Sequence, residues 1–178
     1  MQRKKLPIGI QSFAKIRQDG AYYYVDKTPF ALQLINQGSY YFLSRPRRFG
    51  KSLFIDTLKE LFEGKQSLFE GLYADTHWDW SVRYPVIRLS FGGGVLKSPA
   101  ALDAVIVEQI SAHEEEYALS PSVPDIPSRF KRLVRNLHQA TGQRVVVLVD
   151  EYDKPILVDI LPFLRGAVLI RKMLRING

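Results

Sequence analysis

The tripeptide Gly50-Lys51-Ser52 stands between an apolar run and a helical pattern. Residues 40–43 form a continuous apolar run of strand length, and residues 52–63 carry apolar side chains at helical spacing. Backbone N–H groups at the start of a helix point at an anion, and the helix dipole favours negative charge there. We therefore predict an exposed phosphate-binding loop in which Lys51 reaches the β- and γ-phosphates of a nucleotide and the Ser52 hydroxyl ligates Mg²⁺.

The loop before this tripeptide departs from the usual phosphate-binding pattern, G-x-x-x-x-G-K-[ST]. Its first glycine is replaced by Arg45, whose β-carbon restricts the backbone. Three arginines closely precede Lys51, and such a cluster of like charges favours an anion as their common partner. The predicted nucleotide-binding residues are Arg45, Pro46, Arg47, Arg48, Phe49, Gly50, Lys51, Ser52 and Leu53.

An acidic pair, Asp150 and Glu151, directly follows a run of apolar β-formers at residues 145–149. A strand that is apolar throughout is typical of a parallel sheet buried on both faces. Ligands of open α/β sheets bind at the carboxyl ends of the strands. In this Walker-B-type arrangement Asp150 would hold Mg²⁺, and Glu151 is the predicted base that orients or deprotonates the attacking water. The alternative is a strand that merely ends in polar residues.

Strands and helices alternate along the rest of the chain. The predicted strands are 40–43, 85–91 and 145–149, with a short β-prone run at 22–25, and the predicted helices are 30–36, 52–63, 98–117 and 128–141. This alternation predicts an α/β fold: a three-layer, P-loop NTPase-like sandwich with a mostly parallel sheet. Glu114, Glu115 and Glu116 are expected to form a solvated helix face.

Composition limits the kinds of site that this chain can build. Its 178 residues suit one domain. The absence of cysteine excludes disulfides, thiolate zinc sites and thiol nucleophiles, and it is compatible with a reducing cytosol. No signal peptide or membrane-spanning segment is evident, so we predict a cytoplasmic protein with no membrane partner. The three histidines lack metal-ligand spacing and are expected to be structural: His77, His113 and His138.

The positive charge is concentrated in the N-terminal third. Residues 1–51 hold ten Lys or Arg and two Asp or Glu, a net charge of +8, whereas residues 52–178 hold fifteen and sixteen, a net charge of −1. A local basic surface suits phosphate, either of a nucleotide or of a nucleic acid. Nucleic acid is therefore retained as a partner in the alternative interpretation.

Four strings in this order resemble one known family. They are YVDKT from residue 24, SRPRRFGKSL from 44, YPVI from 84 and VDEYDKPI from 149. They are similar to those of the prokaryotic AAA-ATPase-like family, P-loop proteins that often continue into a PD-(D/E)XK nuclease-like domain. In that family an arginine in place of the first loop glycine is the norm. The resemblance implies ATP and Mg²⁺ as ligands, while Asp26, Lys27, Asp153 and Lys154 receive no role from it.

The resemblance covers residues 6–157 and does not extend to the C-terminus. We therefore predict an ATPase-like P-loop portion at 1–157 and a divergent tail at 158–178, as in a C-terminally truncated or altered member with an incomplete sheet. Two functions stay open: a Mg-dependent ATPase, and a module that binds nucleotide or nucleic acid without turnover. Because strands of the family pattern are missing, we expect slow or undetectable turnover. The sequence does not indicate the oligomeric state or the biological process.

Overall fold

A computed structural model describes residues 3–38, 40–43, 49–92, 98–119, 125–151 and 168–171. The helices in these residues are α1 (Phe13–Gln18), α2 (Thr28–Gln37), α3 (Lys51–Phe62), α4 (Tyr73–His77), α5 (Pro99–Glu116) and α6 (Ile126–Thr141), with a 3₁₀ turn at Gln66–Phe69. The strands are β1 (Tyr40–Phe42), β2 (Val86–Ser90), β3 (Val146–Asp150) and β4 (Val168–Arg171).

The four described strands form one parallel sheet in the order β1-β4-β3-β2. The register pairs Phe42 of β1 with Arg171 of β4, and Arg171 in turn with Val149 of β3. Val149 pairs on its other side with Leu89 of β2. The strands therefore end at nearly the same level, and their carboxyl ends share one edge of the sheet.

Helices cover both faces of this sheet. Val146 and Leu148 of β3 pack into the apolar cluster that contains the buried side chains of α3. Val147 and Val149 point the other way, into the cluster formed with α5 and α6. The protein is thus a mixed helix–strand structure with a small parallel sheet, which is compatible with the predicted α/β class. The complete three-layer P-loop sandwich stays a prediction.

Local sequence signals place several helix ends correctly. The Ser98 side chain accepts a hydrogen bond from the Ala101 N–H at 3.2 Å, and Pro99 is the first residue of α5. Gly142, with φ of 66°, ends α6 in the left-handed conformation that glycine adopts without a steric penalty. No helix within the described ranges combines the length and apolarity needed to cross a bilayer.

The strand predictions fail at two places. The β-prone run at 22–25 forms no strand: Tyr22 makes one isolated bridge to Lys5, and the Tyr24 ring packs edge-on against Phe13, 5.0 Å between centroids. The Tyr24 side chain thus packs against the core instead of joining a strand ladder, while Tyr23 is exposed. Conversely, β4 lies at residues 168–171, inside the segment assigned to a divergent tail, and it pairs with β1 and β3 in the middle of the sheet.

Two expectations about the helices on the second face are wrong. α6 begins at Ile126 rather than 128, because the Asp125 carboxylate accepts a hydrogen bond from the Ser128 N–H at 2.9 Å and so caps the helix earlier. Glu114 does not face solvent. It is buried on α5, and the guanidinium of Arg129 on α6 donates to both of its carboxylate oxygens.

Candidate nucleotide-binding site

The carboxyl edge of the sheet brings together the two motifs that the sequence singles out. β1 ends at Phe42, eight residues before the Gly50 that caps α3, and β3 ends at Asp150. Since β4 lies between them and neighbouring strands are ~4.8 Å apart, the ends of β1 and β3 are separated by roughly 10 Å. α3 packs against β3. The start of α3 and the acidic pair therefore belong to one edge.

The start of α3 has the geometry of an anion-binding helix terminus. Gly50 occupies the N-cap position with φ of 69° and ψ of 26°, a left-handed conformation that favours glycine, and among the described residues no side chain caps the helix. Lys51 is only 4% exposed and Ser52 only 8%. The expectation of an exposed Lys51 is thus wrong. Lys51 thus places a positive charge at the N-terminal end of α3, where the helix dipole also favours an anion.

Part of the predicted loop lies outside the described residues: Arg45, Pro46, Arg47 and Arg48, together with Asp153 and Lys154 beyond the acidic pair. Of the remaining loop residues, Phe49 is exposed and Leu53 packs half-buried against the core. The structure therefore describes the predicted site from Phe49 to Leu53.

The acidic pair occupies two different environments. Asp150 is the last residue of β3 and is buried, at 3% exposure. Its Oδ1 accepts a hydrogen bond from the Glu151 N–H at 3.0 Å. Glu151 is half-buried and has φ of 55°, a left-handed conformation that is unusual for a residue with a β-carbon. Such strain persists where the surroundings hold it and is concentrated at functional sites.

Gly92, just after β2, makes room for the Glu151 carboxylate. A β-carbon built on Gly92 would lie 2.7 Å from Glu151 Oε2 and 3.1 Å from its Cδ, well inside van der Waals contact. β2 and β3 are adjacent, and the Phe91 N–H donates to the Asp150 carbonyl at 3.1 Å, so the two strand ends stay together. The sequence assigned Gly92 no role in the site. Its proximity to Glu151 follows from strand pairing.

Asp26, which the sequence left without a role, fastens the start of α2 through Thr28. Asp26 Oδ1 accepts hydrogen bonds from both the N–H and the hydroxyl of Thr28, each at 2.8 Å, and its Oδ2 accepts one from the Tyr73 N–H at 2.8 Å. The Thr28 hydroxyl accepts one from the Ala74 N–H at 3.0 Å. The beginnings of α2 and α4 are thereby joined.

Lys27 lies between these two anchoring residues and faces the start of α3. Its Nζ is 3.6 Å from the position that a β-carbon would take on Gly50. Within the part of the chain that the structure describes, Lys27 forms no ion pair with a carboxylate. The site thus has a second cation beside Lys51, which sequence analysis missed because Lys27 is distant from the loop along the chain.

The histidines serve as structural groups in the described residues. His113 bridges to β2, with Nε2 3.1 Å from both the N and the O of Arg88, while His77 stacks on Tyr73 at 3.7 Å. The His138 ring is 2.8 Å from the Gln143 carbonyl. Across the described ranges, no group of three or more His, Cys, Asp or Glu side chains is arranged to hold a metal ion.

Comparison with known proteins supports a family assignment over nearly the whole chain. The model of the AAA-ATPase-like family, described as "Predicted AAA-ATPase", matches residues 7–175. The match continues past residue 157, where the resemblance in sequence ended, and it includes β4. No solved structure matches the chain.

A similar protein occurs in Azotobacter chroococcum mcd 1, where it is described as "Uncharacterized protein in vnfD 5'region". The two are 60% identical over 157 residues, which cover 88% of this chain but 30% of that relative. The chain thus corresponds to less than a third of the relative's length. Given the family match across residues 7–175, the chain belongs to the AAA-ATPase-like family of predicted AAA-ATPases.

Proposed function

We propose that the chain binds ATP together with Mg²⁺ at the carboxyl edge of its sheet and hydrolyses it to ADP and phosphate. The observation that carries this proposal is the meeting of two motifs at one edge. The glycine-capped start of α3 and the acidic end of β3 come from distant parts of the sequence, and the parallel register directs both to the same side. Family membership supports the same function at a coarse level.

The cationic part of the site suits the phosphates. The N–H groups at the start of α3 would donate hydrogen bonds to phosphate oxygens, because the first turn of a helix leaves them without intrahelical partners. Lys51 would contribute a buried positive charge, and Lys27 a second one beside Gly50. The arginines of the preceding loop remain predicted nucleotide-binding residues.

The oxygen ligands suit Mg²⁺, a hard cation that prefers hydroxyl and carboxylate donors. The Ser52 hydroxyl and the Asp150 carboxylate are the residues that would hold it, and both are buried near the edge where phosphate would lie. When bound, Mg²⁺ would neutralise the charge that develops during phosphoryl transfer. Glu151 would orient the attacking water and accept its proton, a role that requires only a positioned carboxylate.

Calorimetric titration with ATP, with and without Mg²⁺, together with a phosphate-release assay, tests this function. The variant Lys51→Met keeps the volume of the buried side chain and removes its charge, so we expect it to fold and to lose ATP binding. Asp150→Ala should weaken only the Mg²⁺-dependent part of the affinity. Lys27→Gln should reduce ATP affinity, whereas Lys15→Gln, an exposed lysine on α1, serves as the matched control. Unchanged ATP affinity in folded Lys51→Met would contradict the assignment.

The alternative function is binding without turnover, and the same assays separate it from hydrolysis. ATP binding with no phosphate release above background would support a nucleotide-binding module.

Nucleic-acid binding by the basic N-terminal third also stays a prediction. Two of the ten Lys and Arg side chains in residues 1–51 are less available for contact with a nucleic acid. Arg17 donates to the carbonyls of Leu68 and Glu70, and Lys51 is buried. The nuclease-like domain that the family resemblance implies for longer chains is likewise a prediction.

A further inference from the structure

A cavity of about 240 Å³ opens directly beside the start of α3. One of its walls is a single face of α2, because Phe30, Gln33 and Gln37 line it at the helical spacing i, i+3 and i+7. Phe49 and Lys51, from the start of α3 and the residues before it, also line the cavity. Leu34 of α2 lines the cavity and also packs against the core, whereas Phe30, Gln33 and Gln37 are exposed and are not needed to hold the helix in place.

Two phenylalanines at this cavity are unusually exposed. Phe30 is 60% exposed and Phe49 is 59% exposed. A phenyl ring in water loses the favourable free energy that burial would supply. Single exposed apolar side chains are common on protein surfaces, but two aromatic rings that flank one cavity suggest a planar apolar ligand between or upon them.

Two amides lie on the same wall as Phe30. Gln33 and Gln37 are one helical turn apart and exposed, and neither side chain has a hydrogen-bond partner among the described residues. A primary amide presents one acceptor and two donors. Adenine offers an amino donor beside a ring-nitrogen acceptor, the combination that a glutamine side chain can bind with two hydrogen bonds.

The polar end of the cavity is continuous with the phosphate site. Lys51 and Gly50 line both, and Lys27 reaches the same point from the start of α2. A ligand in the cavity would therefore have its anionic end against two lysines and its apolar end against two aromatic rings. This distribution of charge matches a nucleotide held along its length.

We propose that this cavity binds the adenine base of the nucleotide whose phosphates bind at the start of α3. The inference rests on the proposed function and adds the subsite that selects the base. Phe30 and Phe49 stack on the base, and the Gln33 and Gln37 amides bind its polar edge. The volume is below the roughly 300–1,000 Å³ of pockets for drug-sized ligands, as expected for a subsite that holds only part of a nucleotide.

Titrations of the full chain with ATP, GTP and inorganic tripolyphosphate distinguish this subsite from the phosphate site. The wild type should bind ATP more tightly than GTP or tripolyphosphate. Phe30→Ala should weaken ATP binding by roughly fivefold to 100-fold, the range for loss of base stacking on an aromatic ring, and leave tripolyphosphate binding unchanged. Tyr23→Ala, which removes an exposed aromatic ring outside the cavity, is the control.

The amides are tested by Gln33→Leu, which should reduce the preference for ATP over GTP. Gln139→Leu on α6 is the matched control, an exposed glutamine on a helix far from the site in sequence. Equal wild-type affinity for ATP and tripolyphosphate, or for ATP and GTP, would overturn the adenine subsite while the phosphate site stands. Equal loss of ATP and tripolyphosphate binding in Phe30→Ala would also overturn it. Failure of the wild type to bind any of the three would instead overturn the proposed function.

Discussion

The contact between Gly92 and Glu151 allows the carboxylate that we propose as the catalytic base to be displaced without a change at Glu151 itself. In Gly92→Ala the new β-carbon would lie 2.7 Å from Glu151 Oε2, whereas ordinary contact begins at 3.4 Å. The carboxylate must therefore retreat by about 0.7 Å, the difference between these two distances. Because the clash is with the far end of a flexible side chain, the side chain moves and the backbone does not.

The expected functional effect of Gly92→Ala is on turnover and not on ATP affinity. A misplacement on the order of 1 Å in a catalytic group can cost up to about 100-fold in rate, so we expect Gly92→Ala to slow hydrolysis by roughly tenfold to 100-fold. ATP affinity should stay within about twofold, because Gly92 is not part of the cationic site. Gly92 is not among the glycines with positive φ, so alanine fits its backbone and should stabilise the chain by about 0.4–1 kcal/mol through the unfolded state.

A single-turnover phosphate-release assay, with chain in excess over ATP, measures this effect even if turnover is slow. Calorimetry gives the ATP affinity, and thermal unfolding gives the stability. The double variant Gly92→Ala/Glu151→Gln provides the control. If the alanine acts through the Glu151 carboxylate, the double variant should be no slower than Glu151→Gln alone.

Two results would refute this reasoning. If Gly92→Ala released phosphate at the wild-type rate, the position of the Glu151 carboxylate beside residue 92 would not affect hydrolysis. Additive losses in the double variant would show that the alanine acts by another route.

Three further predictions concern strain, a buried ion pair and surface charge. Glu151→Gly should slow hydrolysis as much as Glu151→Gln does. It should nevertheless be more stable than Glu151→Gln by roughly 1 kcal/mol, because glycine removes the strain of φ 55° and glutamine keeps it. Equal melting temperatures for the two variants would contradict this. Arg129→Ala should lower the free energy of unfolding by about 3–5 kcal/mol, since it leaves the buried Glu114 carboxylate unpaired; urea unfolding measures this, and a loss below about 1 kcal/mol would contradict it. Duplex DNA affinity, if the basic third binds it, should fall by about 10³-fold between about 50 mM and about 200 mM salt, and absence of binding at the lower concentration would remove this partner.

The parts of the fold that sequence predicted are those set by neighbouring residues. The run of five β-formers predicted the strand before Asp150, and its all-apolar pattern predicted burial on both faces, which the structure confirms. Ser98 with Pro99 predicted the start of α5, since a cap and a proline act within one turn. The same local logic indicated a helix beginning near Lys51. Propensity, caps and apolar spacing carry this information because they act over a few residues.

The sequence could not predict which strand lies beside which. β4 is a short run in a segment with no familiar pattern, and its place between β1 and β3 depends on pairing with both neighbours. The burial of Glu114 likewise depends on Arg129, which lies on another helix. Neither side chain alone indicates a buried pair, since isolated charged residues most often face solvent.

By itself, the sequence determined the chemical types of the site: a glycine, a cation and a hydroxyl at a helix start, and two carboxylates at the end of a strand. Only the tertiary structure decided that Lys27 joins the cations, that Gly92 faces the Glu151 carboxylate and that α2 forms a cavity wall beside Lys51. The physical reason is distance along the chain. Contacts such as these arise from strand register and helix packing, which depend on the whole core and leave no mark in the residues adjacent to each site residue.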